Sequence, residues 1–237
     1  MSIKHKFKDE IFKNGFATKD AILVETPYNP EILFIGTFNP ETNEKDNMAD
    51  FFYGRNWFWP ILFNIFHYKT IELIKQRKFY KPEPEPSLDE IFNFMKEHKI
   101  TFADLIVSVL DDNDEYCLAK NKIIYRETCY DLIKDSDLCK LNILKKVKDN
   151  KDELLEFIKK NKSIKAIYFT RKSAKPFSEI LNKIEEQFKD RNLKIKYLYT
   201  PSGQALKGKR INALVNQWKN SDRDGFDSLD VEWLNKI

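Results

Sequence analysis

The sequence predicts an α/β fold: a three-layer α/β/α sandwich with a central, mainly parallel sheet of about four strands. Three observations carry that expectation. Short apolar runs rich in β-branched and aromatic residues recur at Ile32–Ile35, Ile100–Val109, Ile164–Thr170 and Leu193–Tyr199. Stretches of helical periodicity separate the later runs: Leu154, Leu155 and Ile158, then Phe177, Ile180, Leu181, Ile184 and Phe188. Strands alternating with helices at these lengths imply parallel pairing through right-handed crossovers.

The elements are read in order as follows. Asp9–Ala17 mixes apolar and charged residues and is expected as a helix lying outside the core, and Ala21–Val24 as a short strand. Tyr28-Asn29-Pro30 turns the chain into the first central strand, Ile32–Ile35, which breaks at Gly36 and discharges into Thr37-Phe38-Asn39-Pro40. An aromatic block follows, from Phe51-Phe52-Tyr53 to Asn56-Trp57-Phe58-Trp59. Pro60 suits the first turn of a helix, where its missing N–H would have no intrahelical partner. Lys81 to Pro86 alternates with proline and reads as an extended linker. Ser87-Leu88-Asp89-Glu90 has the form of a capping box opening a helix that runs to about Glu97.

Ile100–Val109 is a second strand interrupted by Asp104, and Asp111–Glu115 is a solvated loop without calcium-loop spacing. A final helix carries Ile211, Leu214, Val215 and Trp218 at i, i+3, i+4, i+7. The tail from Ser221 to Ile237 mixes acids with Phe226, Leu229, Trp233 and Leu234, and reads equally as a segment folded back or as a partner-binding helix.

At 237 residues, 42% hydrophobic and 33% charged, the chain is long and apolar enough for one globular domain, with its core at about residues 31–220. The first residues lack the apolar core of a signal peptide and no apolar run is long enough to span a bilayer, so a cytoplasmic protein is expected. Cys117, Cys129 and Cys139 match neither a disulfide framework nor a tight metal site, and only His5, His67 and His98 are available to help. No metal or cofactor is therefore expected, and the chain is expected to be a monomer. The net charge of +4 suits contact with an anionic partner through one local face.

In a parallel sheet the carboxyl ends of the strands lie on one edge, where ligands bind. The loops Gly36–Pro40 and Thr200–Gln204 then face each other, and the carboxamide of Asn39 with the nearby aromatic block forms a site for a flat, polar ring.

Taken together, Gly-x-x-Asn-Pro at a strand end, Asn-x-Phe-Trp closing an aromatic block and Pro201-Ser202-Gly203 after a late strand resemble the uracil-DNA glycosylase superfamily. The likeness is strongest to its mismatch-specific uracil and hypoxanthine-DNA glycosylase branches. Ala166 to Ala174 is similar to the strand and turn before the last motif in those branches, and the resemblance spans about Ile32 to Trp218. The chain departs from the family in having two residues, Thr37 and Phe38, between Gly36 and Asn39, in lacking a His-Pro before Asn56, and in carrying Thr200 where the family has His or Asn.

The resemblance implies a monofunctional DNA glycosylase that hydrolyses the N-glycosidic bond of a flipped-out deaminated base, uracil or hypoxanthine, in base excision repair. Such a bond breaks through an oxocarbenium-like sugar, so the site must place a water, hold the base and stabilise its developing charge. Asn39 is expected to orient the water, although it can also simply cap its loop; a carboxamide cannot deprotonate water, which predicts a slow enzyme. Gly36, Phe38, Phe52 and Tyr53 are the base-binding candidates, with Tyr53 or Phe52 as the stacking plate. Asn56 is expected to read the base edge, to cap the following helix, or both, and Thr200 to give at most a hydrogen bond to the leaving base. DNA phosphates are assigned to the amides of Ser202 and Gly203 and to Lys207, Lys209, Arg210, Arg171 and Lys172, with Gln204 entering the gap left by the flipped base. Two alternatives stand beside this reading: a superfamily member that binds DNA or damaged bases without cleaving, and a hydrolase of a free modified nucleoside or nucleotide.

Overall fold

Strand β4 (Ile32–Gly36) is buried along its whole length, and its alternation divides the interior. Ile32 and Phe34 face one apolar cluster, Leu33 and Ile35 the other. This is the period-2 geometry of a strand covered on both faces. The computed structural model describes residues 1–40, 50–54, 56–68, 86–120, 122–170, 177–202, 212–221 and 224–235.

Upstream of β4 lie β1 (Ile3–Lys4), β2 (Ala17–Lys19) and β3 (Ile22–Glu25). Downstream come α1 (Phe58–Phe63), α2 (Leu88–His98), β5 (Ile100–Asp104) and β6 (Ile106–Val109). Three short strands follow, β7 (Tyr116–Ala119), β8 (Lys122–Tyr125) and β9 (Thr128–Asp131), then α3 (Asp135–Ile143) and β10 (Val147–Asp149). The chain continues through α4 (Lys151–Lys160), β11 (Ala166–Phe169), α5 (Phe177–Phe188), β12 (Lys194–Tyr197), α6 (Asn212–Asn220) and α7 (Val231–Leu234).

The central sheet has the order β12-β11-β4-β5-β3-β2. Its first four strands are parallel, with Phe34 opposite Phe102 of β5 and Tyr168 of β11. The expected sheet of about four strands is thus extended to six, because β3 and β2 add an antiparallel pair at the β5 edge. The core facing Phe34 takes side chains from α1, α2, α6 and α7, and the opposite core takes them from α3, α4 and α5.

Several sequence expectations are corrected. Asp9–Ala17 is not an α-helix: it contains a 3-10 turn at Lys13–Gly15, where Asn14 and Gly15 take positive φ, and leads into β2. The run Ile100–Val109 is two strands in two sheets. Asp104 ends β5, and β6 pairs with β1 and β10 in a separate three-stranded sheet. The bend between them is held by Leu105 N–H to Gly36 O (3.2 Å), Ile106 N–H to Thr37 O (3.0 Å) and Asn150 Nδ2 to Asp104 O (2.8 Å). The antiparallel meander β7-β8-β9 had no counterpart in the sequence reading.

Other expectations hold. Ser87 and Glu90 form the reciprocal capping box at the start of α2. For the tail, where two readings stood open, the structure shows the folded-back one: Leu229 and Trp233 are buried in the Phe34-side core, and Asp230 N–H donates to Tyr168 Oη at 2.9 Å. Most of the Lys81–Pro86 linker lies outside the described residues. Among the described residues, no helix is long and apolar enough to cross a membrane.

Candidate active site

A cavity of about 310 Å³ opens at the carboxyl edge of the parallel strands. Its wall combines the last residue of β4 and the loop after it (Gly36, Thr37, Phe38, Asn39), the aromatic block (Tyr53, Asn56), the end of β5 (Asp104), the chain leading into α3 and its first residue (Leu132 to Asp135), Thr170 after β11, and Thr200 to Ser202 after β12. Elements far apart in sequence meet here because parallel strands deliver their following loops to one edge.

Gly36 sets the closeness of the wall. A Cβ built on it would lie 2.1 Å from Asp104 Oδ1 and 3.1 Å from Tyr53 Cζ. Only a hydrogen fits between β4 and these two side chains. Tyr53 sits in the left-handed region (φ 59°), stacks on Phe58 at 4.1 Å between ring centroids, and shares a 3.1 Å hydrogen bond with Thr170 Oγ1. A non-glycine residue in this conformation stores strain of a kind found at functional sites. Burial, and next the nearby Asp104 charge, raise the Tyr53 hydroxyl well above the usual phenol range, so it stays protonated.

Asp104 is a buried carboxylate at the end of a strand that is buried along its whole length. Its Oδ2 lies 2.8 Å from Nε2 of His5, which is also buried. The tautomer follows from the second ring nitrogen: Phe7 N–H donates to His5 Nδ1 at 3.0 Å, so Nε2 carries the proton and donates to Asp104. The same amino-terminal segment braces the first loop, with His5 bridging Pro40 and Lys6 N–H donating to Asn39 O at 2.7 Å.

The structure brings Gly36, Phe38, Asn39, Tyr53, Asn56, Thr200 and Ser202 into the one cavity. Asn39 is almost wholly buried. Asn56 lines the cavity, and its Oδ1 accepts the Phe58 N–H at 3.0 Å, at the first residue of α1. Trp57 N–H to Pro201 O (2.9 Å) ties the aromatic block to the last loop. Phe52 is corrected: it is fully buried behind the wall, stacked on Phe102, and does not line the cavity. Its backbone carbonyl accepts the Trp59 indole N–H at 2.7 Å, a bond that secures the block from inside. Gly203, Gln204, Lys207, Lys209, Arg210, Arg171 and Lys172 lie outside the described residues.

Sequence reasoning missed His5, Asp104, Asp135 and Thr170. The signal for Asp104 was present, as an acid in the apolar run Ile100–Val109. For His5 there was none, since Lys4-His5-Lys6 reads as a charged terminus and its role depends on a partner 99 residues away. Asp135 Oδ1 accepts from Thr37 Oγ1 at 2.7 Å, adding a second carboxylate to the wall.

No family model and no curated protein matches the chain. Among solved structures, the solution NMR structure of a "putative Uracil DNA glycosylase" from Methanosarcina acetivorans is similar at 14% identity and a TM-score of 0.38, over 78% of this chain and 84% of that one. A likeness of that size leaves any functional reading to rest on the chain's own geometry.

Proposed function

We propose that the chain is a DNA glycosylase with a uracil-DNA glycosylase-like fold, hydrolysing the N-glycosidic bond of a flipped-out deaminated base without a metal or cofactor. The observation that carries it is the convergence of Asn39, Tyr53, Asn56, Asp104 and Thr200 on one cavity, whose size is at the lower end for small-ligand sites, roughly 300–1,000 Å³.

The chemistry assigns each group a task. As the C1′–N bond breaks, its electron pair leaves with the base and the sugar becomes oxocarbenium-like. Asn39 orients the attacking water. Asp104, held by His5, accepts the water's proton and offers negative charge to the developing cation. This carboxylate supplies the base that a carboxamide cannot be, and so removes the reason for expecting a slow enzyme. A deaminated base carries a carbonyl where its parent carries an amino group, and the Asn56 NH2, with its oxygen engaged by the helix start, donates to such a carbonyl. Phe38 and Tyr53 supply the aromatic wall, where stacking is worth about 1–3 kcal/mol per base. Thr200 gives the leaving base a hydrogen bond. The lysines, arginines and amides of the two following loops contact phosphate, and Gln204 fills the vacated stack.

The test is base release from single- and double-stranded oligonucleotides carrying uracil, hypoxanthine or xanthine, at enzyme excess, with Asn39→Ala and Asp104→Asn beside the parent. Release of one base, lost in both variants, is expected; undiminished release in both overturns the assignment. Salt-sensitive binding without release from any substrate points instead to a non-cleaving reader. The Asp104 and Asp135 pair favours one other reading, a hydrolase of a free nucleoside whose ribose hydroxyls the carboxylates would accept. Competition by a free nucleoside, with affinity indifferent to salt, distinguishes it.

A further inference from the structure

A second cluster of chemically competent side chains shares no residue with the cavity. After α1 the chain makes a π-helical turn over Asn64–Tyr68 that carries His67, while Glu97 and His98 end α2. Such turns interrupt the α-helical hydrogen-bond ladder and recur at functional sites. Aromatic contacts fix the two elements against each other: Phe63 stacks on Phe94 at 5.0 Å, and Phe66 lies 4.5 Å from the His98 ring. At the rim of that packing, one ligand atom from each of His67, Glu97 and His98 lies within 4.8 Å of the others.

We propose that His67, Glu97 and His98 bind a divalent transition-metal cation of the zinc type. Two imidazoles and one carboxylate are a donor set that zinc accepts, with water completing a tetrahedron. With metal–ligand bonds of about 2.0–2.1 Å, the ligand atoms of a closed tetrahedral site stand about 3.4 Å apart. The present separations, all within 4.8 Å, exceed that by no more than about 1.4 Å, which rotation of the exposed His67 and Glu97 side chains can supply. His98 Nε2 is buried with no hydrogen-bond partner among the described residues, so that atom is not committed to another group. The site also lies at the carboxyl end of α2, where the carbonyl dipoles favour a cation. A bound ion would clip the turn after α1 to the end of α2.

The experiment uses the full chain stripped of metal and titrated with zinc chloride by calorimetry, and with cobalt(II) by visible absorption. One saturable equivalent is expected, with a d–d band of four-coordinate nitrogen and oxygen ligation and a rise in Tm on adding zinc. His67→Ala and Glu97→Gln alter exposed side chains and leave the fold intact by circular dichroism. Each should weaken zinc at least about tenfold, equivalent to about 1.4 kcal/mol, and abolish the Tm rise. Cys117→Ser with Cys129→Ser removes the two exposed thiols and should change nothing. The proposal is overturned by the absence of saturable binding up to about 1 mM. Binding that survives both His67→Ala and Glu97→Gln, or that disappears with the cysteines, overturns it equally, as an adventitious ion only.

Discussion

His5 Nε2 donates to Asp104 Oδ2 across 2.8 Å, with both side chains buried, and so joins the amino-terminal segment to the end of β5 at the cavity wall. The pair can be separated by substitution. Asp104→Asn keeps the volume and an oxygen to accept from Nε2–H, so stability should fall by no more than about 1–2 kcal/mol. Base release should fall by at least about a hundredfold, since the proton acceptor is gone. His5→Ala leaves Asp104 buried without its donor, and should cost about 1–3 kcal/mol while slowing release less. Thermal denaturation and single-turnover kinetics on both variants check this. Equal slowing by the two, with equal loss of Tm, would reduce Asp104 to a structural role.

Gly36 is predicted to be intolerant of any side chain. The Cβ of Gly36→Ala would stand 2.1 Å from Asp104 Oδ1, so the carboxylate must leave its place or β4 must shift from β5. Overpacking of this kind costs roughly 1–3 kcal/mol. Adding Asp104→Ala removes the clashing atom, so the double variant should be more stable than the sum of the two single losses. Additive losses in a double-mutant cycle would mean that the close approach does not govern the strain.

How much of this was legible beforehand depends on the range of the interaction. The alternation Ile32-Leu33-Phe34-Ile35, the Ser87–Glu90 box and the spacing from Phe177 to Phe188 are local patterns, and the corresponding elements formed where the patterns put them. That Asn39, Tyr53 and Asn56 line one cavity was legible because the loops after parallel strands share one edge of the sheet. Phe52 was misassigned because adjacent residues at a turn point opposite ways, Tyr53 to the cavity and Phe52 to Phe102. The apolar run Ile100–Val109 could not show where it changes sheets, since that is decided by Asn150, β1 and β10, all distant in sequence. Lys13-Asn14-Gly15 held a turn signal that outweighed the mixed composition around it.

Asn56 offers a test that separates its two tasks. Its Oδ1 accepts the Phe58 N–H at 3.0 Å, and Asn56→Ala should cost about 1 kcal/mol through loss of that bond at the helix start. Asn56→Asp keeps an acceptor oxygen for Phe58 but has no NH2 to donate, so Tm should stay near that of the parent. Affinity for the base-containing oligonucleotide should still fall by about tenfold, the loss of one hydrogen bond. Unchanged binding in Asn56→Asp, measured by fluorescence anisotropy, would leave the residue as a helix-start clamp alone.

Acid stability should depend on Glu31. Its carboxylate accepts from Lys165 Nζ at 2.8 Å and from Lys99 Nζ at 2.7 Å, while its backbone N–H donates to Lys99 O and its carbonyl accepts from Lys165 N–H. One residue thereby ties the approaches to β4, β5 and β11. The hydrogen bonds from Lys165 and then Lys99 hold the carboxyl well below its ordinary value of 4.5, to about 2. Because the folded value lies below the unfolded one, the unfolded chain takes up the proton first. The contribution is complete above about pH 4.5 and is lost as pH falls toward about 2. Both lysines are largely exposed, so solvent screens the pair and the contribution is at most about 1 kcal/mol. Glu31→Gln should therefore be less stable than the parent at pH 6. In Tm profiles of the two proteins, the parent's advantage should shrink below pH 4.5 and vanish near pH 2. An advantage that stays constant across that range would mean that the Glu31 charge contributes nothing.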